Sequence, residues 1–339
     1  MAKINVRSPY HIYITQANLT SAVLDLYIYT GTQTTSRGAI TYSLDSTAYS
    51  NKIDFEISEL VRDYLDVTFS GSYASQMVWV DYQITRSINS AAIAADTLVA
   101  LSAFDGYGYF EEGVNPQLSS TDLMQSNTIM YVPTGGDVVV PVNQNDIDNV
   151  KFYKGGVIQS TTTIAPIVLT DANEIRYATD ADIDEIDVYN GVSTTTIEVV
   201  NVDSCKHTPY KITFINKWGV EQDLYFFKRT DKTLTTSSNK YKSNTLIDGT
   251  YSVSKHQSRT LNKQGKEKLV LNSGFVDEQM NEVFTQLMLS EKVWILYDAQ
   301  TLPIEITSSS LGYKTQLNDR LINYTISLDF AFDKINSIR

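Results

Sequence analysis

Few residues of this chain have the types and spacing that chemistry requires. Cys205 and His207 lie two positions apart, which on a strand places both side chains on one face, as a thiolate–imidazole pair needs. A zinc site needs four ligands, however, and neither a second cysteine nor a nearby histidine supplies the others. The chain has three histidines in all, and His11 falls inside a predicted strand. We therefore predict neither a metal site nor a catalytic nucleophile.

The acidic run at 180–187, DADIDEID, is a second candidate because its acids occupy the first, third and fifth positions of a calcium-like loop. Glu185 stands at the sixth position, where such a loop needs glycine for its sharp turn, and no helices are predicted beside it. We favour a solvated strand edge, where inserted acids discourage aggregation. Destabilisation of the protein by a chelator would return the run to consideration as a cation site.

Three common catalytic signatures are missing from the sequence: the P-loop, HExxH and GxSxG. The loop at 104–110, FDGYGYF, has two glycines but is followed by no predicted helix, so a phosphate-binding loop is disfavoured. We interpret it as a tyrosine-rich contact tip, with Tyr107 and Tyr109 as interface candidates. The two carboxylates of a glycosidase come together across the fold, so the sequence leaves the possibility of such a pair open. We predict that the chain is not an enzyme and uses no cofactor.

The elements that position these residues are mostly strands. The sequence is rich in Thr, Ser and Tyr, with 22 Tyr against 12 Phe, and β-branched and aromatic residues suit a pleated surface. A chain of 339 residues is long enough for two or three domains. We predict a mainly β, multi-domain protein of β-sandwich and β-barrel units with one or two short helices. The predicted units are 1–115, 116–202 and 203–339.

Each unit has its own pattern. The first has short strand patterns at roughly 10-residue spacing, typical of a sandwich, and one amphipathic helix pattern at 55–65. The middle unit, interpreted as an insertion, holds an internal repeat at an offset of 36: DIDNVKFYKGGV from Asp146 matches DIDEIDVYNGV from Asp182. Each copy predicts a β-hairpin with a glycine-containing turn.

The third unit begins with a predicted hairpin around the turn at 216–219. A polar stretch at 229–244 is either an exposed loop or an arm that orders on assembly, and strands are predicted around 251–259 and 267–272. The helical pattern at 277–290 carries an apolar face that includes Phe284, and we expect this face to pack on the C-terminal sheet.

Charge is distributed unevenly along the chain. The net charge is −12, but residues 206–270 contain 13 Lys/Arg and five Asp/Glu, a net +8 that leaves −20 for the remainder. Either complementary faces meet in an assembly, or the charged loops only keep the protein in solution. Under the first interpretation Lys263, Lys266 and Lys268 are interface candidates, and the acidic excess includes any surface that faces passing DNA, which it would repel.

The single cysteine allows no internal disulfide, which fits folding in a reducing cytoplasm. The N-terminal sequence MAKINVRSPYHIYI lacks the apolar core of a signal peptide. The sequence also has no 18-residue apolar stretch, so we predict no membrane span.

Five stretches carry a family resemblance: SPYHIYIT at 8–15, LDLYIYTG at 24–31, IDFEISELVRDYL at 53–65, CKHTPYKITFINKWGVEQDLYFFKR at 205–229 and LINYTISLDFAFDKINSIR at 321–339. They resemble structural proteins of tailed-bacteriophage virions, and the C-terminal strand–helix–strands pattern is similar in layout to distal-tail and tail-hub β-barrel domains. The resemblance covers the first and third units. It carries no functional residue over to this chain.

The resemblance implies a non-enzymatic ring component of the virion tail, synthesised in the host cytoplasm. Such a protein would form a homo-oligomeric ring, contact the tail tube and fibres or tip proteins, and allow DNA to pass through an acidic channel. A host-surface adhesin or receptor-binding protein is the alternative, and a virion-borne hydrolase is the third hypothesis.

Overall fold

A computed structural model of the chain describes residues 2–73, 76–116, 123–144, 146–164, 172–177, 182–203, 206–313 and 322–335. The protein is mainly β with several sheets, which confirms the predicted fold class. The α-helices of the described residues are α1 (Ser58–Arg62) and α2 (Met280–Leu289), and a short 3-10 helix spans Phe110–Glu112. The strands are β1 (Ala2–Asn5), β2 (His11–Thr15), β3 (Leu19–Tyr29), β4 (Tyr42–Thr47), β5 (Lys52–Glu56), β6 (Met77–Ile88), β7 (Ala91–Ala92), β8 (Val99–Phe104), β9 (Ile129–Pro133), β10 (Val138–Asn143), β11 (Asn149–Lys154), β12 (Val157–Thr163), β13 (Ala172–Tyr177), β14 (Glu185–Tyr189), β15 (Thr194–Val202), β16 (Tyr210–Ile215), β17 (Glu221–Phe226), β18 (Asp231–Lys242), β19 (Ser258–Val276), β20 (Val293–Tyr297), β21 (Gln300–Ile306) and β22 (Ile322–Phe330).

The described strands of the first unit form two sheets over one core. The larger sheet has the order β1-β8-β6-β3-β4, with β7 paired to β6, and the smaller sheet pairs β2 with β5. Apolar residues from both sheets and from α1 share one buried cluster. The helix predicted at 55–65 is wrong in its extent. Ile53 and Phe55 both lie on the buried face of β5, and the helix begins only at Ser58.

The middle unit packs a five-stranded sheet, order β12-β11-β14-β15-β9 among its described strands, against the pair β10–β13. Both hairpins predicted from the repeat are confirmed as β11–β12 and β14–β15. Val150 and Ile186, which are equivalent in the two copies, are both fully buried on one face. The acidic run was expected at a strand edge, and this is wrong for Glu185 and Asp187, because β14 is the central strand of the described sheet. Their side chains lie on the outer face of β14.

The third unit is one seven-stranded sheet that wraps around α2 and a single core, and we refer to it as the barrel. Its described strands have the order β17-β16-β20-β21-β22-β19-β18. The short connection between β17 and β18 turns back onto β19, where the Lys228 amide donates to the Asn272 carbonyl oxygen at 3.2 Å. Helix α2 buries Val283, Phe284 and Leu287 completely in the barrel core, which confirms the predicted packing of this helix.

The polar stretch at 229–244 differs most from its prediction. It was expected to be a loop or an arm that orders only on assembly, but the single chain already forms β18 there, paired antiparallel with β19. The two strands predicted around 251–259 and 267–272 are also corrected, since one strand of 19 residues runs from Ser258 to Val276. Backbone pairing holds β18 in place although it has no buried face, and a period-2 apolar pattern arises only where one face is buried.

Candidate functional site

A two-stranded ribbon at residues 231–268, which we call the arm, lies outside the barrel core. β18 pairs with β19 from Asp231–Val270 to Lys242–Ser258, and every residue of β18 is exposed. Its Thr-rich sequence suits an extended backbone without supplying a core. A bulge interrupts the pairing, with Asn262 at φ 50°, and such bulges increase the twist of a ribbon.

The C-terminal segment crosses the arm near its base. The Lys334 amide donates to the Gly265 carbonyl oxygen at 2.7 Å, and the Ile335 amide donates to Oε1 of Gln264 at 3.0 Å. We call the part beyond this contact, residues 237–263, the outer arm. A strand of 12 residues spans about 40 Å.

The arm leaves backbone and apolar groups in solvent. Among the described strands β18 is the last of its sheet, so its outer edge presents N–H and C=O groups that no described strand pairs, and such groups are a template for pairing with another chain. An isolated two-stranded ribbon is marginally stable in water. Seven large apolar side chains of the arm are also exposed: Leu234, Tyr241, Leu246, Ile247, Tyr251, Val253 and Leu261. The arm therefore has the properties of a surface that another molecule covers.

The charge of the arm is strongly basic, with eight Lys/Arg and three Asp/Glu in residues 231–268. At the base, Nζ of Lys232 and Nζ of Lys334 lie 3.2 Å and 3.1 Å from the carboxylate of Glu267. Desolvation raises the pKa of Glu267, but these two ammonium groups outweigh it and hold the pKa below its ordinary value. The described residues offer no acidic partner to the five basic side chains of the outer arm. These are Lys240, Lys242, Lys255, Arg259 and Lys263.

The three predicted interface lysines differ in their surroundings. Lys263 lies in the outer arm and is exposed. Nζ of Lys266 is 3.5 Å from the Glu305 carboxylate, and Lys268 stands opposite Asp329 on β22. The latter two thus have acidic neighbours within the chain, and contact of all three with another molecule stays a prediction. The other outer-arm cations were not singled out, because Lys240 and Lys242 lie in the stretch expected to be a loop or an arm, and Lys255 and Arg259 lie farther from the strand that leads into α2.

The tyrosine loop is largely buried rather than an exposed tip, and only Phe110 at its end is fully exposed. Tyr107 is 7% exposed, and the hydroxyl of the half-buried Tyr109 donates to Oε1 of Glu282 on α2 at 2.7 Å. The guanidinium of Arg7 lies over the Tyr107 ring and the ammonium of Lys217 lies 4.2 Å from the Tyr109 ring centroid. The expectation of a protruding contact tip is therefore wrong, because these rings join the first unit to the third within one chain.

The turn at 216–219 is the centre of this junction between the units. Nδ2 of Asn216, which is completely buried, donates to the Met124 carbonyl oxygen at 2.8 Å and to Oε1 of Gln222 at 3.0 Å. The Tyr107 amide donates to the Lys217 carbonyl oxygen at 2.9 Å. The turn thus contacts all three units. Sequence reasoning missed Asn216, because an asparagine in a turn is ordinary and its partners are distant in sequence.

Asp105 adds an ionic contact beside the junction. It is 4% exposed, and its Oδ1 lies 3.9 Å from Nε of Arg62. Burial raises the pKa of the Asp105 carboxyl, and the nearby positive charges of Arg7, Arg62 and Lys292 only partly offset this. The folded protein therefore holds this proton more tightly than the unfolded chain does.

This pKa shift predicts a pH dependence. Because the folded-state pKa is raised, Asp105 makes the free energy of unfolding fall as pH rises from the unfolded pKa of about 3.9 through the folded one. We expect the free energy of unfolding of Asp105→Asn, measured relative to that of the wild type, to be higher at pH 7 than at pH 4. Urea unfolding at both pH values measures the difference, with Asp248→Asn, at an exposed site in the arm, as the control. A difference that is equal at both pH values would contradict the prediction.

The remaining sequence candidates show ordinary contacts where the structure describes them. Cys205 and Asp180 lie outside the described residues. Nζ of Lys154 is 3.9 Å from Oδ2 of Asp182, and Oδ2 of Asp184 accepts a hydrogen bond from the Gly155 amide at 2.6 Å. Across the described ranges, no group of three or more His, Cys, Asp or Glu is placed to hold a metal ion.

Comparison with known proteins adds no family. No protein-family model matches the sequence, and no curated protein matches it either. None of the helices that the structure describes has the length and apolar character to cross a membrane.

Proposed function

We propose that this protein is a structural component of a bacteriophage tail, a ring, hub or adaptor subunit that joins the tail tube to fibres or tip proteins. It is synthesised in the host cytoplasm, assembles as a closed homo-oligomer in the virion and performs no chemistry. The observation that carries the proposal is the arm, a long ribbon whose strand edge and both faces lie in solvent beside a well-packed barrel.

The energetics of the arm support an assembly role. Ordering a backbone residue costs about 1–2 kcal/mol in conformational entropy, and β18 buries no side chain in return. Folded monomers usually shorten, charge or cover their sheet edges, and closed symmetric assemblies remove such edges altogether. An arm covered by a neighbouring subunit would bury its exposed apolar side chains and satisfy its open strand edge.

The charge distribution supports the same role. The arm carries a net +5, which leaves −17 for the rest of the chain. In this proposal the basic arm makes the subunit contacts, and acidic surfaces elsewhere face the DNA that passes through the ring. An acidic wall repels the phosphate backbone, whereas a basic wall would hold it by releasing counterions.

Charge reversal in the outer arm tests this function. We expect the variant with Lys240→Glu, Lys242→Glu, Arg259→Glu and Lys263→Glu to self-associate about 100-fold more weakly than the wild type. Analytical ultracentrifugation at low and high salt measures the effect, and raising the salt should weaken wild-type association. The four positions are exposed, so the circular dichroism spectrum should not change.

A charge-conserving variant is the matched control, with Lys240→Arg, Lys242→Arg, Arg259→Lys and Lys263→Arg. It alters the same four side chains but keeps the charge of the arm, and it should associate like the wild type. A reversed variant that assembles normally at low salt would remove the arm from the assembly and with it the main support for the proposal.

A further inference from the structure

The outer face of the middle unit carries an unusual row of side chains. Tyr153, Glu185 and Glu198 are register neighbours on the adjacent strands β11, β14 and β15. Both glutamates are exposed, and they stand directly opposite each other. Directly opposed side chains in an antiparallel pair lie about 5 Å apart, and like charges at that spacing destabilise a sheet.

These two carboxylates have no direct ionic partner in the part of the chain that the structure describes. In the next row, Asp187 stands between Lys151 on β11 and Thr196 on β15, and its Oδ1 accepts a hydrogen bond from Oγ1 of Thr196 at 2.7 Å. The face therefore carries one lysine among its acidic and neutral side chains. Residues 116–202 contain twelve Asp/Glu and three Lys/Arg, a net charge of −9. This sheet face is thus the natural complement of a basic surface.

The outer arm has the matching geometry. Lys240 and Lys242 share one face of β18 about 6.7 Å apart, so each ammonium group can meet one of the two carboxylates. On the opposite face, Tyr241 stands across from Arg259. A basic ribbon would be repelled by a second basic ribbon, and this disfavours pairing of one arm with another arm.

The arm of the same chain cannot be the partner of this face. Tyr225 and Phe227, which belong to the barrel, pack in the same core cluster as the inner-face residues Val150 and Ile186. The barrel, and the arm that begins just after Phe227, therefore lie on the inner side of the middle sheet. Glu185 and Glu198 point to the other side, so a basic ribbon reaches them only from another molecule.

We propose that the outer arm of one copy lies on the outer face of the middle sheet of a second copy, with Lys240 and Lys242 against Glu185 and Glu198. This inference rests on the proposed function and names the surface that receives the arm. The contact is head-to-tail, because the arm and the acidic face are different surfaces, and repetition of such a contact closes into a ring when the rotation permits.

A mixing experiment with the full chain tests the inference. One variant carries Lys240→Glu and Lys242→Glu, so that the contact positions of its arm and of its sheet face are both acidic. The other carries Glu185→Lys and Glu198→Lys, so that both are basic. We expect each variant alone to associate about 100-fold more weakly than the wild type. An equimolar mixture should assemble, because each arm then meets a face of opposite charge. Ultracentrifugation measures assembly, and circular dichroism checks each fold.

The outcomes separate this inference from the proposed function. If the arm variant fails to associate but the face variant behaves like the wild type, the arm binds elsewhere and only this inference is overturned. If neither variant is impaired, the arm has no part in assembly and both proposals lose their support. Arm-dependent binding of a duplex DNA at 150 mM salt, without self-association, would make nucleic acid the partner of the arm and would also overturn the inference.

Discussion

Phe284→Ala is expected to destabilise the barrel by about 3–5 kcal/mol, a large share of the free energy of unfolding of one domain. Phe284 is fully buried, with its ring centroid 4.5 Å from that of Tyr324 and 6.2 Å from that of Phe226. Truncation would leave a cavity where α2 meets both walls of the barrel. Urea unfolding followed by tryptophan fluorescence measures the loss, since two of the three tryptophans, Trp218 and Trp294, belong to the third unit and only Trp79 belongs to the first.

The same substitution at Phe275 is the matched control for this prediction. Phe275 lies on β19 and is 63% exposed, so Phe275→Ala removes the same atoms from a solvated site. Its effect should stay under about 1 kcal/mol. Equal losses at the two positions would mean that α2 does not pack in the barrel core.

Gly219→Ala is expected to separate the first unit from the third. Gly219 has φ 78°, and an added Cβ would lie 2.6 Å from the backbone nitrogen of Gly106 and 2.8 Å from that of Asp105. The strained φ costs about 1 kcal/mol and the overpacking about 1–3 kcal/mol more. Because backbone atoms cannot move aside as a flexible side chain can, we expect the loop at 104–110 to become sensitive to limited proteolysis.

Gly249→Ala isolates the steric part of that effect. Gly249 has the same φ of 78°, but an added Cβ there would meet no atom within 4 Å. Its alanine variant should lose only the conformational contribution of about 1 kcal/mol and leave the loop at 104–110 protected. Equal destabilisation by the two substitutions would show that the close approach at Gly219 contributes nothing.

Local patterns were sufficient to predict much of the fold. The spacing of Val283, Phe284 and Leu287 predicts the helix and its buried face, and the repeat beginning at Asp146 and Asp182 predicts two hairpins. Both signals lie within a short stretch of sequence, and burial of one face imposes the period. Predictions of this kind need no knowledge of which elements become neighbours.

The junction and the arm could not be predicted in that way. The two glycines of the 104–110 loop match no phosphate-binding motif. Gly106 is needed for a close approach between distant segments, because a Cβ there would lie 2.6 Å from the Lys217 carbonyl oxygen. β18 has no apolar period, because neither of its faces is buried. The central place of Glu185 also depends on strand order, which the sequence of one strand does not encode.

The continuity of β19 has a mechanical consequence. This strand runs without a break from Ser258 in the arm to Val276 in the barrel wall, and α2 begins four residues later at Met280. A pull on the arm along its length would load the backbone hydrogen bonds between β19 and both neighbouring strands in shear, so that many bonds must yield together rather than one after another. Tension applied by a neighbouring subunit would therefore pass directly into the barrel.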